Sequence, residues 1–345
     1  MRKTPTIYDV AERAGVSKSL VSLVLRGSPK VSDEKREAVL AAVDELNYTP
    51  SRLAAGLAGT RTRSVGVVID DFENLWFANA LAGLRSALAA DGYSLSVADA
   101  ALNAHLGFDP LEAFRALRVD GVVLAGEASA DAVARLTVPA VVLGTRAIEV
   151  PHAPVIASDE EHGGRLAAAH FAELGHREIV CVSAPGASAA AREAGYLVEM
   201  RDRGLAPRVV RADQTSEAAA RAAAAVLFDE AAVPGAAPAP TAVFAVNDPM
   251  AVGVIGAARD RGLTVPRDLS VVGYDDSPLA AYELISLTTV SGDVRELGEA
   301  AGRRLTDLIG SRPGADAVRA SSAQQLFEPR LVVRGSTAAV AADRG

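Results

Sequence analysis

Apolar residues recur at two different spacings along this chain, and the change between them predicts its architecture. Before residue 48 the apolar positions follow helical spacing, whereas from residue 64 onward short apolar runs alternate with amphipathic stretches. Such alternation is typical of parallel sheets covered on both faces by helices. We predict strands at 64–69, 94–98, 121–124, 140–143, 178–182, 242–246 and 270–273, and helices at 79–90, 163–174, 217–228 and 250–261.

The N-terminal segment predicts three helices around one small core. The hydroxyl of Thr6 can cap the first helix and that of Ser17 the second, which Gly27 ends. A third helix follows from Ser32, and Pro50 prevents its simple continuation. This arrangement predicts a helix-turn-helix unit, and a surface helical hairpin that binds nothing is the alternative.

The second predicted helix presents an outward strip of short and cationic side chains. Lys18, Ser22 and Arg26 stand four residues apart, with Ser19 and Leu23 beside them. A strip of this width suits the major groove of DNA, which admits one α-helix.

Charge is unevenly distributed, and this favours the DNA-binding interpretation. Residues 1–63 hold 11 Lys and Arg against 7 Asp and Glu, whereas the remainder holds 24 against 36. The net charge of −8 therefore conceals a basic head on an acidic body. Clustered cations displace condensed counterions from phosphates, so the head is suited to nucleic acid.

Short motifs follow one another in order along the whole chain. They stand at 8–11, 14–17, 21–22, 31–32, 46–48, 57–59, 118–121, 173–177, 247–248, 250–251, 271–276, 287–290 and 331–336. Together they resemble the LacI/GalR family of bacterial transcriptional regulators.

The resemblance implies an N-terminal all-α helix-turn-helix domain and a C-terminal α/β domain of two lobes, like that of periplasmic binding proteins, with parallel sheets. The implied boundaries are 1–50 for the helix-turn-helix domain, 51–63 for a hinge helix and linker, 64–337 for the two-lobed domain, and 338–345 for a disordered tail. Lobe one is expected at 64–157 and 290–320, and lobe two at 158–289 and 321–337. The tail has no leucine heptads of a tetramerising coil, so a homodimer is expected.

The resemblance also implies a DNA-contacting set. The hinge is too short to form a stable helix unaided, and its leucine at 57 resembles a side chain that wedges between base pairs in the minor groove. Leu23 stands where some relatives have arginine, so contact with a thymine methyl group is expected there. The set is Thr6, Tyr8, Ser17, Lys18, Ser19, Ser22, Leu23, Arg26, Leu53, Ala54, Leu57 and Ala58.

A small-molecule site is expected where strands end and a cleft opens between the lobes. The implied effector contacts are Asn74, Trp76, Phe77, Arg192, Asn247 and Asp275. Five of them have an alternative role: the two rings can pack their helix onto its sheet, Arg192 can form a surface salt bridge, and Asn247 and Asp275 can cap helices.

Three further segments bear on this site. The run 159–162 contains three acids and a histidine, and we interpret it as the start of a helix rather than a metal site. Gly144 and Leu75 depart from the family pattern, which has an acid and a proline there in many relatives. These departures leave the identity of the ligand open.

The sequence therefore predicts a DNA-binding regulator, a repressor, that binds a pseudo-palindromic operator as a dimer and responds to a small effector, expected to be a sugar. In most relatives the ligand releases the DNA, and in a minority it acts as a corepressor. A sugar-binding protein of a transport system is the main alternative, but it would need an export signal and no basic head.

An enzyme on the same architecture is a more distant alternative, which incubation with candidate sugars would test. We find no catalytic signature, and expect no enzyme activity, cofactor or metal. The N-terminus has no apolar signal-peptide core, and no run reaches the ~18 apolar residues needed to span a bilayer. A cytoplasmic protein without a membrane partner is expected.

Overall fold

A computed structural model of the chain describes residues 5–25, 27–48, 61–102, 105, 107, 109–233, 235, 237–311 and 324–340. The chain divides into two units, one of residues 1–63 and 115–120 and the other of residues 64–114 and 121–345. Residues 51–60 of the predicted hinge lie outside the described residues, as does Arg26.

Three helices form the described part of residues 5–48 in the N-terminal unit, as predicted. They are α1 (Ile7–Arg13), α2 (Lys18–Leu25) and α3 (Asp33–Glu45). Buried side chains from all three pack together, which gives this small unit a core of its own. That core consists of Val10, Ala11, Val21, Val24, Val31, Val39, Ala42 and Tyr48.

The caps of the first two helices are those that the sequence predicts. Thr6 and Asp9 form a capping box, in which each side chain accepts a hydrogen bond from the backbone of the other. The Ser17 hydroxyl oxygen accepts a hydrogen bond of 3.2 Å from the backbone N–H of Leu20. These bonds pair backbone donors that the helix itself leaves without partners.

The carboxylate of Asp120 explains why residues 115–120 belong to this unit. It accepts hydrogen bonds from the backbone N–H groups of Thr62 and Arg63, at 2.9 and 2.8 Å. The Thr62 hydroxyl donates to the carbonyl oxygen of Arg118 at 2.9 Å. The motif at 118–121 thus fixes the backbone at residues 62 and 63.

Two six-stranded sheets form the second unit in the described part of the chain. The first has the order β11-β5-β4-β3-β1-β2 and the second β12-β10-β9-β8-β6-β7. Neighbouring strands run parallel except β10 and β12, which are antiparallel. The strands are β1 (Ser64–Ile69), β2 (Ser94–Asp99), β3 (Gly121–Leu124), β4 (Ala140–Leu143), β5 (Val155–Ser158), β6 (Ile179–Ser183), β7 (Arg208–Arg211), β8 (Ala242–Ala245), β9 (Ser270–Tyr274), β10 (Thr288–Ser291), β11 (Gln324–Phe327) and β12 (Arg330–Val332).

Helices cover both sheets, as the alternating pattern predicts. They are α4 (Leu75–Ala90), α5 (Pro110–Leu117), α6 (Ala130–Ala134), α7 (Glu160–Glu173), α8 (Ala187–Asp202), α9 (Glu217–Ala231), α10 (Asp248–Asp260) and α11 (Val294–Gly310), with a 3₁₀ helix at Pro278–Ala281. Each sheet has its own apolar core, so the second unit consists of two lobes.

The expected third crossing between lobes, near residue 320, is wrong. β11 pairs in parallel with β5 of the first sheet, whereas β12 pairs with β10 of the second. The chain therefore returns to lobe two only between Phe327 and Arg330. The other crossings follow β5 and β10.

The expected disordered tail at 338–345 is also wrong at its start. The backbone N–H of Ala338 donates to the Ser270 hydroxyl at 3.1 Å, and that of Val340 donates to the Leu174 carbonyl at 3.0 Å. Buried His176 contacts the Ala338 carbonyl at 3.0 Å. These bonds hold residues 338–340 on lobe two, and residues 341–345 lie outside the described residues.

Glycines set the closeness of the helix pair α4 and α11 on lobe one. A Cβ atom at Gly83 would collide with the carbonyl oxygen of Arg295, and one at Gly298 would collide with that of Ala80. The two backbones therefore approach more closely than any side chain at these positions would permit.

We expect Gly83→Ala to lower the free energy of unfolding by about 1–3 kcal/mol, because the added methyl group forces the two helices apart. Alanine is the better helix former by about 1 kcal/mol, so any loss comes from packing. Gly310→Ala is the control, since its Cβ would meet nothing within 4 Å. Urea denaturation followed by circular dichroism measures both, and equal stability of the two variants would contradict the packing argument.

Candidate functional site

A cavity of about 410 Å³ opens between the two lobes at the carboxyl ends of their strands. This volume lies in the range of small-molecule sites. Side chains of both lobes line it, and all six residues that the sequence predicts as effector contacts are among them: Asn74, Trp76, Phe77, Arg192, Asn247 and Asp275. Their roles as ligand contacts stay a prediction.

The wall from lobe one contains the two predicted aromatic side chains. The rings of Trp76 and Phe77 pack edge to face with centroids 5.1 Å apart, and both belong to the core of lobe one. Asn74 caps their helix by accepting a hydrogen bond of 3.0 Å from the Trp76 backbone N–H. The rings therefore pack α4 onto its sheet and also line the cavity.

Arg146 covers these rings, and sequence reasoning missed it. Its guanidinium carbon lies 5.4 Å from the Trp76 ring centroid and 5.5 Å from that of Phe77. A salt bridge of 3.3 Å joins its Nη1 to Oδ2 of Asp70. Burial lowers the pKa of Arg146 more than Asp70 raises it. The only sequence signal was a lone arginine in the loop after β4.

Arg192 dominates the wall from lobe two. Its Nε donates to Oε2 of Glu160 at 2.6 Å, its Nη2 to Oδ1 of Asp275 at 3.0 Å, and its Nη1 to the Val246 carbonyl oxygen at 2.7 Å. Its guanidinium stacks 3.7 Å from the Tyr274 ring centroid. The side chain is only 7% exposed, so the alternative of a surface salt bridge is wrong.

Neighbouring carboxylates keep Arg192 charged, whereas burial raises the pKa of Asp275 to about 7. Burial lowers the pKa of Arg192, but the carboxylates of Asp275 and Glu160 raise it further, so the guanidinium stays charged. Three hydrogen bonds use three of its five N–H groups, and one N–H remains on each terminal nitrogen. The group can therefore still donate to a ligand in the cavity.

Asn247 and Asp275 differ in the roles that their side chains already perform. Asn247 caps α10 by accepting from the Met250 backbone N–H at 2.8 Å, and its amide donates to the Thr215 carbonyl at 3.0 Å. Asp275 caps no described helix and instead binds Arg192. The capping alternative therefore holds for Asn247 only.

The acidic run at 159–162 opens a helix, as interpreted from the sequence. Asp159 caps α7 and accepts from the His162 backbone N–H at 3.0 Å. Glu160 in its first turn is the buried partner of Arg192, which the sequence did not indicate. No group of three His, Cys, Asp or Glu among the described residues is placed to hold a metal ion.

The predicted DNA-contacting strip of α2 is largely exposed. Ser17, Lys18 and Ser19 are exposed, and Lys18 Nζ donates to the Tyr8 hydroxyl at 3.2 Å. Tyr8 is 63% exposed, whereas Thr6 and Ser22 are half-buried.

Leu23 is half-buried. Part of its side chain packs against the three-helix core, and the rest is accessible to solvent. Of the remaining predicted contacts, Arg26, Leu53, Ala54, Leu57 and Ala58 lie outside the described residues.

One further property concerns the helices. In the part of the chain that the structure describes, none combines the length and apolar character needed to cross a bilayer.

Comparison with known proteins gives matches over the whole chain. The family model "Bacterial regulatory proteins, lacI family" matches residues 6–51, and "Periplasmic binding protein-like domain" matches residues 168–337. The chain is 33% identical to the HTH-type transcriptional repressor PurR of Erwinia tasmaniensis, over 96% of this chain and 97% of that protein.

Two solved structures are similar. A lac repressor dimer bound to operator and the anti-inducer ONPF matches with a TM-score of 0.80 and 31% identity, over 98% of this chain and 100% of that one. A complex of the transcriptional regulator CelR with cellobiose matches with a TM-score of 0.69 and 29% identity, over 96% and 99%.

We expect Arg192→Met to lower the free energy of unfolding by about 3–5 kcal/mol near neutral pH, because Glu160 and Asp275 then remain buried without a cation. Burial already raises the pKa of Asp275 to about 7 beside Arg192, and loss of the arginine raises that pKa further, so Asp275 takes up a proton more readily in the folded than in the unfolded state. The loss should therefore shrink as the pH falls from about 8 to about 5.

Urea denaturation at several pH values measures this effect. Arg221→Met is the control, because Arg221 pairs with Asp260 on the surface, where both side chains are 43% exposed. That variant should lose far less stability, because water screens an exposed ion pair. Similar losses in the two variants would contradict the assigned role of the buried network.

Proposed function

Because the chain belongs to the lacI family of bacterial regulatory proteins, we propose that a small sugar-like effector binds in the cavity between its lobes and controls its affinity for operator DNA. The chain is a DNA-binding transcriptional regulator and not an enzyme. We further propose that it represses transcription, acts as a homodimer on a pseudo-palindromic operator, and works in the cytoplasm.

One observation carries the effector proposal. Six residues spread from position 74 to position 275 converge on one cavity. Aromatic faces combined with a few fixed hydrogen-bonding groups suit a polyhydroxylated ring, because the rings cover its apolar face while the polar groups orient its hydroxyls. The similar CelR structure holds cellobiose, which supports a sugar as the class of ligand.

Coupling to DNA follows from the connections between the lobes. A ligand that contacts both lobes favours the arrangement in which both contacts can form, and it shifts the protein toward that arrangement. We propose that the hinge at 51–63 transmits this shift to a helix-turn-helix domain at 1–50. The short helix of the hinge would form only when the hinges of two subunits meet on DNA. Separating the hinges would therefore lower operator affinity.

DNA contacts are proposed for the two helical segments. In the half-site, Lys18, Ser19 and Leu23 would contact bases, whereas Thr6, Tyr8, Ser17, Ser22 and Arg26 would position the unit on the backbone. In the hinge, Leu53, Ala54 and Ala58 would pack in the minor groove and Leu57 would wedge between central base pairs.

The proposed function is tested by measuring operator affinity in the presence of sugars and nucleobases, with DNA from upstream of the protein's own gene. We expect at least one sugar to change the affinity, and Trp76→Leu to abolish that response while operator binding without ligand persists. Phe72→Leu is the control, since this exposed aromatic lies outside the cavity lining. If no compound changes the affinity, the proposed effector control is refuted.

Base reading by α2 gives a second prediction. We expect Leu23→Arg to shift base preference toward guanine at one position in each half-site, because a guanidinium can bind guanine through two hydrogen bonds and a leucine cannot. Selection of binding sites from random DNA measures the preference, with Leu23→Met as the size-matched control. An unchanged preference in the arginine variant would contradict the contact.

A further inference from the structure

Hydrogen bonds and an ion pair hold Arg146 in place in the cavity wall. Its loop is held by a hydrogen bond of 2.8 Å from the Ala147 backbone N–H to Oε1 of Glu127. The backbone N–H of Glu127 in turn donates to Oδ1 of Asp70 at 2.7 Å, and Oδ2 of Asp70 pairs with Arg146. The aromatic rings of Trp76 and Phe77 lie beneath the guanidinium, and the segments that carry Glu127 and Asp70 hold its loop in place. Only 14% of the Arg146 side chain is exposed.

The charge of Arg146 is less well compensated than that of Arg192. Arg192 has two carboxylates at 2.6 and 3.0 Å, whereas Arg146 has one at 3.3 Å. The Nε of Arg146 is buried and has no hydrogen-bond partner. A buried donor without a partner is costly, and the cost is greatest for a charged group. An anion next to the guanidinium would offset this cost through its charge.

No side chain extends from position 144 next to the guanidinium. A Cβ atom at Gly144 would lie 3.5 Å from Nη2 of Arg146 and 3.0 Å from the Trp76 ring. Gly144 also has a φ of +81°, a conformation that disfavours other residues, so the protein itself places no side chain beside Nη2.

The opposite wall adds positive potential at the same place. Helix α8 begins at Ala187, and no side chain caps its N-terminus. The Ser188 hydroxyl donates across the cleft to the Thr145 carbonyl at 3.2 Å, so the first turn of α8 lies next to the loop that carries Arg146. Unpaired N–H groups at a helix N-terminus favour an anion.

The acids of the lining do not oppose this assignment. Asp70 and Asp275 already pair with the two arginines. Asp71 and Glu73 are exposed, and Glu217 has a side chain that is 44% exposed, so water screens their charges. Of the two arginines that line the cavity, Arg146 has the fewer and longer ion pairs.

We propose that Arg146 determines specificity and that the effector carries an anionic group, a carboxylate or a phosphate on a polyhydroxylated body, which the Arg146 guanidinium binds. This inference rests on the proposed function of the cavity. Planar guanidinium groups bind both anions through paired hydrogen bonds, so geometry alone does not separate the two.

Titration of the full chain with matched ligands tests this assignment. The probes are glucose with glucuronate and glucose 6-phosphate, galactose with galacturonate and galactose 6-phosphate, and cellobiose with cellobionate. Trp76 is the single tryptophan of the chain and lines the cavity, so its fluorescence reports occupancy directly. The carboxylate and phosphate arms of each set distinguish the two sources of negative charge.

We expect one acidic member to bind about tenfold to a hundredfold more tightly than its neutral partner, because hydrogen bonds to charged groups contribute more than neutral ones. Arg146→Met should abolish that preference, and Arg146→Lys, which keeps the charge, should retain part of it. The control is Arg135→Met, an arginine that pairs with Glu112 on the surface of lobe one. Thermal unfolding verifies that each variant is folded.

Two results would overturn the assignment: neutral members that bind as tightly as acidic ones, or an acidic preference that survives Arg146→Met. Parallel measurements of operator affinity separate this failure from that of the proposed function. If a neutral sugar binds and changes operator affinity, the proposed function stands and the anionic assignment fails. If ligands bind in the cavity and none changes operator affinity, the proposed function itself fails.

Discussion

The buried guanidinium of Arg192 is the interaction on which the cleft depends. It joins the start of α7, the end of β8 and the end of β9 through Glu160, Val246 and Asp275. A charge in such a place is tolerated only when opposite charges and hydrogen bonds surround it. The network therefore fixes these three segments of lobe two relative to one another, and Arg192, Val246 and Asp275 line one wall of the cavity.

The opposite wall is built on a different electrostatic principle. Arg146 lies over Trp76 and Phe77 with a single carboxylate beside it, so its charge is stabilised partly by aromatic faces. One arginine is thus paired with two carboxylates and the other with one. In the free protein, the burial of Arg146 with a single carboxylate carries an electrostatic cost. A ligand that reduces this cost would favour the arrangement of the cleft in which it binds.

Much of the fold could be predicted because buried parallel strands form continuous apolar runs. The four residues of β3 and of β4 are all buried, and both strands were predicted at their observed bounds. Five of the described strands were missed. Of these, β7, β11 and β12 lie at sheet edges and are partly or largely exposed, so their polar residues obscure the apolar pattern. The other two, β5 and β10, lie inside their sheets, but each has only four residues and contains Ser or Thr. β11 was also placed in the wrong lobe, since strand pairing joins residues far apart in the chain.

The sequence by itself determined the three N-terminal helices, the alternation of strands and helices, and the polar residues that follow strand ends, because caps, turns and periodicity act within a few residues. Tertiary structure alone decided what those polar residues contact. The partners of Arg192 lie 32, 54 and 83 positions away in the chain. Arg146 becomes part of the site only through its contacts with Asp70, Trp76 and Phe77, which are also distant in sequence. Such contacts depend on how the sheets assemble, which no local pattern encodes.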